Sequence, residues 1–393
     1  MDASVNKHMA IRLSPDQALR LRLRAQRLAL QPSDTTTSVV GVVKDLCGIQ
    51  AQEAPAAALA IRVRSRGLVA ADVERARVQE RTVVRTWGLR GTLHLLATKD
   101  LGWLLPLLGL VFVDAGRRRR EQLGLDDELY TRSVRILRDL LADRGPSTRA
   151  EIVEKLASRG FRIEGQARPY LLGRAALEGL ICLGPERGAE PTYVLLSDWI
   201  GRAQGKGGLS EIEAYAELTR RYLSAYGPAT PRDQSAWSGL PLGKIKAAWQ
   251  HITGQFVEVD VDGAPAWMLT AQAAWLDEPG VPASWLDDTG TPAPTVRLLP
   301  RFDVYLLGYH NRNLAVPRQH AKRINAGGGI LHPAVLVDGR AVGVWKSQLK
   351  KNELAVRVEP FDQLTAQVVQ GLEAEVADLA RFQEVRATLE IEM

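Results

Sequence analysis

The sequence predicts an α+β chain of 393 residues, with three successive groups of helices, each closed by a β-hairpin, ahead of a β-rich C-terminal region. Three observations carry this expectation. A Gly-Pro-x-Thr motif occurs twice, 82 residues apart, each time after an amphipathic helical pattern and before a second one. Each helical group gives way to two short runs of strand-forming residues joined by a turn. Beyond residue 294 the pattern changes to strands with turn signals between them.

Taken in order, Ser14-Pro15-Asp16-Gln17 opens the first helix, with Ser as N-cap, Pro at N1 and Gln at N3 of a capping box. Leu19, Leu21 and Leu23 alternate with arginines, but the cap and the good helix formers favour a helix. Pro32-Ser33-Asp34 ends it. Helices are expected over 38–47 and 55–64, with Gln50-Ala51-Gln52 in the junction between them. Runs at 82–87 and 92–96 pair through Gly91, and Thr98-Lys99-Asp100 caps a further helix.

The two repeat copies follow. Gly145-Pro146-Ser147-Thr148 stands after a helix over 130–141, and before helices over 149–158 and 167–178 and strands at 180–183 and 192–196. Gly227-Pro228-Ala229-Thr230 stands after a helix over 212–226, and before helices over 231–237 and 242–252 and strands at 256–261 and 266–269. Helix, helix, helix, hairpin is the order of a winged helix-turn-helix. Three tandem winged-helix domains are therefore expected, at 1–125, 126–208 and 209–276. The remainder, 277–393, reads as a turn-rich linker to residue 294 and a small β-barrel-like domain. Its strands are expected at 296–299, 304–307, 334–337, 341–345 and 354–358. A helix over 364–382 and a strand at 387–391 close the chain, and Asp338-Gly339 is a hairpin turn.

Composition narrows the function classes. Hydrophobic content of 46% and charged content of 24% are those of an ordinary globular protein. The most apolar run, 101–113, holds Pro106, Gly102 and Gly109 and is too short to span a bilayer. With no apolar leader at the N-terminus, a cytoplasmic protein without a membrane partner is expected. Cys47 and Cys182 offer neither metal-ligand spacing nor a disulfide framework, so neither a metal nor a cofactor is expected. The net charge is +6, and residues 1–150 hold 25 basic against 16 acidic residues while the rest hold 26 against 29. A basic N-terminal third suits a polyanion, of which nucleic acid is the usual one.

The candidate chemistry starts at Cys47-Gly48-Ile49-Gln50-Ala51-Gln52-Glu53. An amide carries no charge at any pH, so it is no ordinary general base, yet it offers one acceptor and two donors to a water or a substrate edge. On its own, Gln-x-Gln is most often a solvated or capping pair. Asp45 and Glu53 are potential helpers, though surface charges on a basic domain are the commoner case. His94, among apolar strand residues, reads as a hydrogen-bonded structural histidine, and Trp87 reads as core. Candidate nucleic-acid contacts are Arg85 and Arg90 beside the first hairpin, Arg117 and Arg118 in the densest basic run, and Arg168 in the presumed recognition helix. The polar loop Tyr309-His310-Asn311-Arg312 is a candidate for insertion in the minor groove. A non-catalytic winged-helix regulator is the alternative these features allow.

The chain as a whole resembles the AlkZ/YcaQ family of winged-helix DNA glycosylases. The resemblance rests on Gln50-Ala51-Gln52, on Arg85-Thr86-Trp87-Gly88-Leu89-Arg90-Gly91-Thr92-Leu93-His94, and on Gly227-Pro228-Ala229-Thr230 with Trp237-Ser238-Gly239-Leu240. Leu298-Leu299-Pro300-Arg301-Phe302-Asp303 and Asp338-Gly339-Arg340 with Gly343-Val344-Trp345 complete it. What it implies is a C-shaped monomer of three winged helices and a β-barrel. Such a protein hydrolyses N-glycosidic bonds of alkylated purines in double-stranded DNA, with Gln50 and Gln52 as the catalytic pair. Glutamine at the second position resembles the AlkZ branch, which excises bulky N7-alkylguanines and unhooks interstrand crosslinks.

Overall fold

The computed structural model describes residues 11–29, 38–201, 208–276 and 293–392. Ser14 Oγ accepts from the Gln17 N–H at 3.2 Å and Gln17 Oε1 from the Ser14 N–H at 2.8 Å, which starts the helix Pro15–Ala25. A cap of this kind is worth about 1 kcal/mol. Residues 32–34, read as the end of this helix, and all but the last two residues of the expected linker lie outside the described residues.

Three helical groups with hairpins then follow. The first runs Val39–Asp45, Ala54–Arg62 and Ala70–Glu74, with strands Val83–Trp87 and Leu93–Ala97. The second runs Asp127–Arg144, Arg149–Ala157 and Ala167–Leu177, with strands Ile181–Arg187 and Glu190–Leu195. The third runs Glu211–Tyr226, Pro231–Ser238 and Leu242–His251, with strands Phe256–Val261 and Ala264–Leu269. Thr148 and Thr230, each the last residue of the repeated motif, N-cap the helices behind them in capping boxes.

The sheets tie these groups together in ways the local pattern does not show. The first two hairpins share one six-stranded sheet, joined where Arg85 pairs with Leu183. The two-residue strand Ile49–Gln50 adds to its edge, with Ile49 opposite Leu95 and Gln50 opposite His94. The third hairpin is extended by Ile11–Leu13, which runs parallel to Phe256–Val261.

Burial follows a similar logic. Val42, Leu46 and Ile49 of the first group share one core with Tyr222, Tyr226 and Trp237 of the third. The second group has its own core, against which Trp87 packs. Gly173 permits that contact, because a Cβ there would stand 3.1 Å from the Trp87 indole nitrogen. The helix Pro15–Ala25 packs away from its neighbours in sequence: Leu19 and Leu23 are buried with Tyr305 and Leu336 of the C-terminal region.

The C-terminal region departs from expectation in two places. Its main sheet is open rather than a closed barrel, in the order Val296–Leu299, Ala334–Val337, Arg340–Lys350, Glu353–Pro360, Arg386–Ile391. The helix Ala366–Gln383 makes a crossover that returns the last strand parallel to Glu353–Pro360, so the two edge strands never meet. Gly371 lets that helix lie against the sheet, since a Cβ there would collide with Val296. The stretch Val304–Leu307, expected as a strand, is a single helical turn capped by Asp303, whose carboxylate accepts the Tyr305 N–H at 2.8 Å. Four apolar residues in a row cannot distinguish strand from helix by periodicity.

Candidate active site

The glutamine motif lies at the edge of the six-stranded sheet, held from three sides. Cys47 and Gly48 both take positive φ, at 53° and 110°, and turn the chain sharply out of Val39–Asp45 into Ile49–Gln50. A side chain on Gly48 would press on Leu96 at 2.8 Å. Gln50 is 9% exposed, and its Oε1 accepts from the Arg90 guanidinium. The same guanidinium donates to the carbonyl of Trp237. Arg90 occupies the left-handed region at φ 55° in the turn between the paired strands. Gly239 fits beneath it, with room for no side chain: a Cβ would stand 3.0 Å from the Arg90 Cα. No carboxylate pairs with Arg90 among the described residues. Burial lowers its pKa to about 10, so it remains charged at neutral pH.

Gln52, two residues on, is exposed, and its side-chain amide has no protein partner among the described residues. Its backbone is fixed by Arg85, which is 7% exposed. The Arg85 guanidinium donates to the carbonyls of Ala51 at 3.0 Å and Gln52 at 3.3 Å and pairs with Glu186 at 3.5 Å. Ala51 N–H donates to Leu93 O at 2.7 Å, so both strands of the hairpin grip the motif. Glu53 heads the helix Ala54–Arg62 and pairs with Arg301 at 2.5 Å, while Asp45 pairs with Arg27 at 2.8 Å. Neither acid is a free base beside the amides. His94, opposite Gln50, is 1% exposed and donates from Nδ1 to Thr92 O at 3.0 Å. Burial drives its pKa down to about 3, as a structural histidine requires.

Segments 40 to 248 residues apart in sequence thus converge around one glutamine pair, and those segments are the ones that carry the resemblance. A family model for DNA glycosylase AlkZ-like proteins matches residues 43–382. The chain belongs to the AlkZ-like DNA glycosylase family. An interstrand DNA cross-link repair glycosylase of Streptomyces sahachiroi is 31% identical over 372 residues, covering 91% of this chain and 94% of that one. The solved structure of Streptomyces sahachiroi DNA glycosylase AlkZ superimposes with a TM-score of 0.78 at 28% identity, covering 97% of this chain and all of the other.

The remaining candidates of this AlkZ-like glycosylase fall into two sets. Arg85, Arg90 and Tyr309, read as nucleic-acid contacts, are turned inward instead. Tyr309 is 4% exposed, under the Arg22 guanidinium at 3.7 Å, and its hydroxyl donates to Tyr226 O at 3.0 Å. Arg168 is half-buried and donates to Ile163 O at 3.0 Å. Arg117 and Arg118 are exposed on the helix Arg117–Gln122, the first paired with Asp114 at 2.8 Å. His310 and Asn311 are exposed, and with Arg312, Lys322 and Asn325 they line an open hollow of about 490 Å³. His310 N–H donates to Asp233 Oδ1 at 2.9 Å, on the helix Pro231–Ser238 whose Trp237 carbonyl also holds Arg90, which links this hollow to the glutamine site.

One further feature escaped the sequence reading. Asn325–Gly327 and Ile330–Leu331 form a two-stranded hairpin at the rim of the same hollow, exposed except at Leu331, with Gly327, Gly328 and Gly329 all at positive φ. The triple glycine was the available signal, since only glycine follows such a turn without strain. Among the described residues no group of three or more His, Cys, Asp or Glu could hold a metal ion.

Proposed function

We propose that the chain hydrolyses the N-glycosidic bond of cationic alkylpurines in duplex DNA, with Gln50 and Gln52 as its catalytic residues. N7 alkylation places a positive charge on guanine. When the C1′–N9 bond breaks, its electron pair cancels that charge and the base departs neutral, so little acid catalysis is required. What remains is to hold a water toward C1′ and to accommodate the developing oxocarbenium ion, which positioned amide dipoles can do. The observation that carries the reading is the grip on Gln50-Ala51-Gln52: Arg85 holds the carbonyls of Ala51 and Gln52, Arg90 holds the Gln50 amide oxygen, and His94 pairs with Gln50 across the strands. A solvated or capping Gln-x-Gln pair has no need of it.

In this reading the product is an abasic site and free base, without a lyase step, because no lysine stands in the motif. The three helical groups act as tandem winged-helix domains, at 1–125, 126–208 and 209–276, ahead of the C-terminal domain. The exposed His310, Asn311, Arg117 and Arg118 serve as DNA contacts, joined by Lys322 and the glycine-tipped hairpin. The protein acts as a cytoplasmic monomer. The Streptomyces sahachiroi relative is by its description a cross-link repair glycosylase, and bulky N7 adducts and interstrand crosslinks are the proposed substrates here. Incubation with duplexes carrying one N7-methylguanine or one N7-linked crosslink should yield abasic sites and unhooked strands. Sequence-specific binding indifferent to damage, with no base released, would instead support a regulator.

A further inference from the structure

We infer that Arg90 is a positioning residue that fixes the Gln50 amide in one orientation, making Gln50 a hydrogen-bond donor to the lesion nucleotide and leaving Gln52 to hold the attacking water. The inference rests on the glycosylase reading of the pair and assigns the two amides different work.

A free glutamine amide can turn over, exchanging its oxygen and nitrogen at almost no steric cost. Gln50 cannot. A guanidinium has five donors and no acceptor, so the atom facing Arg90 must be Oε1. The NH2 group therefore points away from Arg90. It has no protein partner among the described residues, and it is not among the side-chain atoms sealed from solvent without one. Gln52 is under no such constraint: the residue is exposed, and its amide oxygen has no protein partner among the described residues.

The environment of Arg90 argues for this duty. Three buried arginines are neutralised, Arg62 by Glu375 at 2.9 Å, Arg64 by Asp303 at 2.6 Å and Arg77 by Glu74 at 2.9 Å, whereas buried Arg22 donates to the Pro228 carbonyl at 2.9 Å, and Arg90, which is half-buried, follows Arg22 rather than the three. Arg90 spends its donors on two neutral oxygens, Gln50 Oε1 and the Trp237 carbonyl, and keeps its charge uncompensated. A cation pulling on the amide oxygen strengthens the amide N–H groups as donors through the polarised chain. The arrangement also costs strain, since Arg90 sits at φ 55° with Gly239 closed beneath it.

The step itself balances in the usual way. Water oxygen bonds to C1′, the C1′–N9 electron pair goes to the purine and cancels its cation, and the proton of the water passes to solvent. Gln50 donates to an acceptor on the nucleotide that gains electron density, and Gln52 accepts from the water.

The test is single-turnover release of N7-methylguanine from one duplex, with binding measured separately on the undamaged duplex. Gln50→Glu keeps an acceptor, gains an ion pair with Arg90 and has no donor, so it should lose about as much rate as Gln50→Ala, at least about tenfold. Gln52→Glu keeps its acceptor and should retain at least about tenfold more rate than Gln50→Glu. Arg90→Ala should slow release about tenfold or more without weakening binding by more than about threefold, and in the double variant it should add nothing to Gln50→Ala. Release by Gln50→Glu at the wild-type rate, a loss confined to binding in Arg90→Ala, or multiplied losses in the double variant would each overturn the inference. Wild-type release by Gln50→Ala would overturn the catalytic reading with it, and is told apart because it needs no Arg90 variant. Should Arg90→Ala fail to fold, Arg90→Lys keeps the charge but can reach only one of the two oxygens; its rate should fall with binding intact, and an unchanged rate would count against the inference.

Discussion

Acid should loosen this protein through a single buried imidazole behind the glutamine strand. His94 is 1% exposed, its Nδ1–H is committed to Thr92 O, and burial with the nearby Arg90 charge carries its pKa from an ordinary 6.5 to about 3. Below pH 6.5 the unfolded chain takes up a proton that the folded chain refuses. Stability therefore falls as the pH falls from 6.5 towards about 3 and is fully present above 6.5. Between pH 7 and pH 5 the two titration curves separate by about 2 kcal/mol, while most carboxylates are still ionised. The assay is urea unfolding at both pH values for wild type and for His94→Gln, which keeps a donor for Thr92 O but cannot be charged. The wild-type midpoint should drop at pH 5 while that of the variant holds, the m values remaining equal. Equal pH slopes in the two proteins would refute the argument.

Three other outcomes follow from the same geometry. Arg85→Met removes the donors to Ala51 and Gln52, and should slow base release about tenfold while costing about 1–3 kcal/mol of stability, read by single-turnover kinetics and urea unfolding. Asp303→Asn leaves Arg64 buried without its partner and should cost about 3–5 kcal/mol, whereas replacing both Arg64 and Asp303 by Leu should recover most of it. The rate of N7-methylguanine release should be flat from pH 6 to pH 9, because His94 stays neutral down to about 3 and Arg90 stays charged up to about 10. A bell with an arm near 6.5 would point to a histidine acid or base.

Much of the architecture was legible because it is written locally. Ser14, Thr148 and Thr230 announce helix starts by chemistry confined to four residues, and the structure places a capped helix behind each. Val304–Leu307 was misread because its deciding feature, the Asp303 carboxylate turned back on Tyr305 N–H, is indistinguishable in sequence from an acid before a strand. The open sheet was misread as barrel-like because closure depends on which strands meet across the Ala366–Gln383 crossover, a property of the whole chain. The site divides similarly. Gln50 and Gln52 stood out through resemblance, while their spacing alone said little. Arg85 and Arg90 read from the sequence as DNA contacts, since a sequence shows a positive charge and not whether backbone carbonyls and an amide already claim it. Tyr309 belongs to the same class: its neighbours His310 and Asn311 face solvent, and it does not.

The measurement that bears most directly on the account is release of N7-methylguanine from a singly modified duplex by wild type, Gln50→Ala and Gln52→Ala under single turnover. The account predicts abasic sites from the wild type, a loss of about tenfold or more in each variant, and duplex binding retained in both. Wild-type rates in both variants would contradict it and move the chemistry away from the glutamine pair.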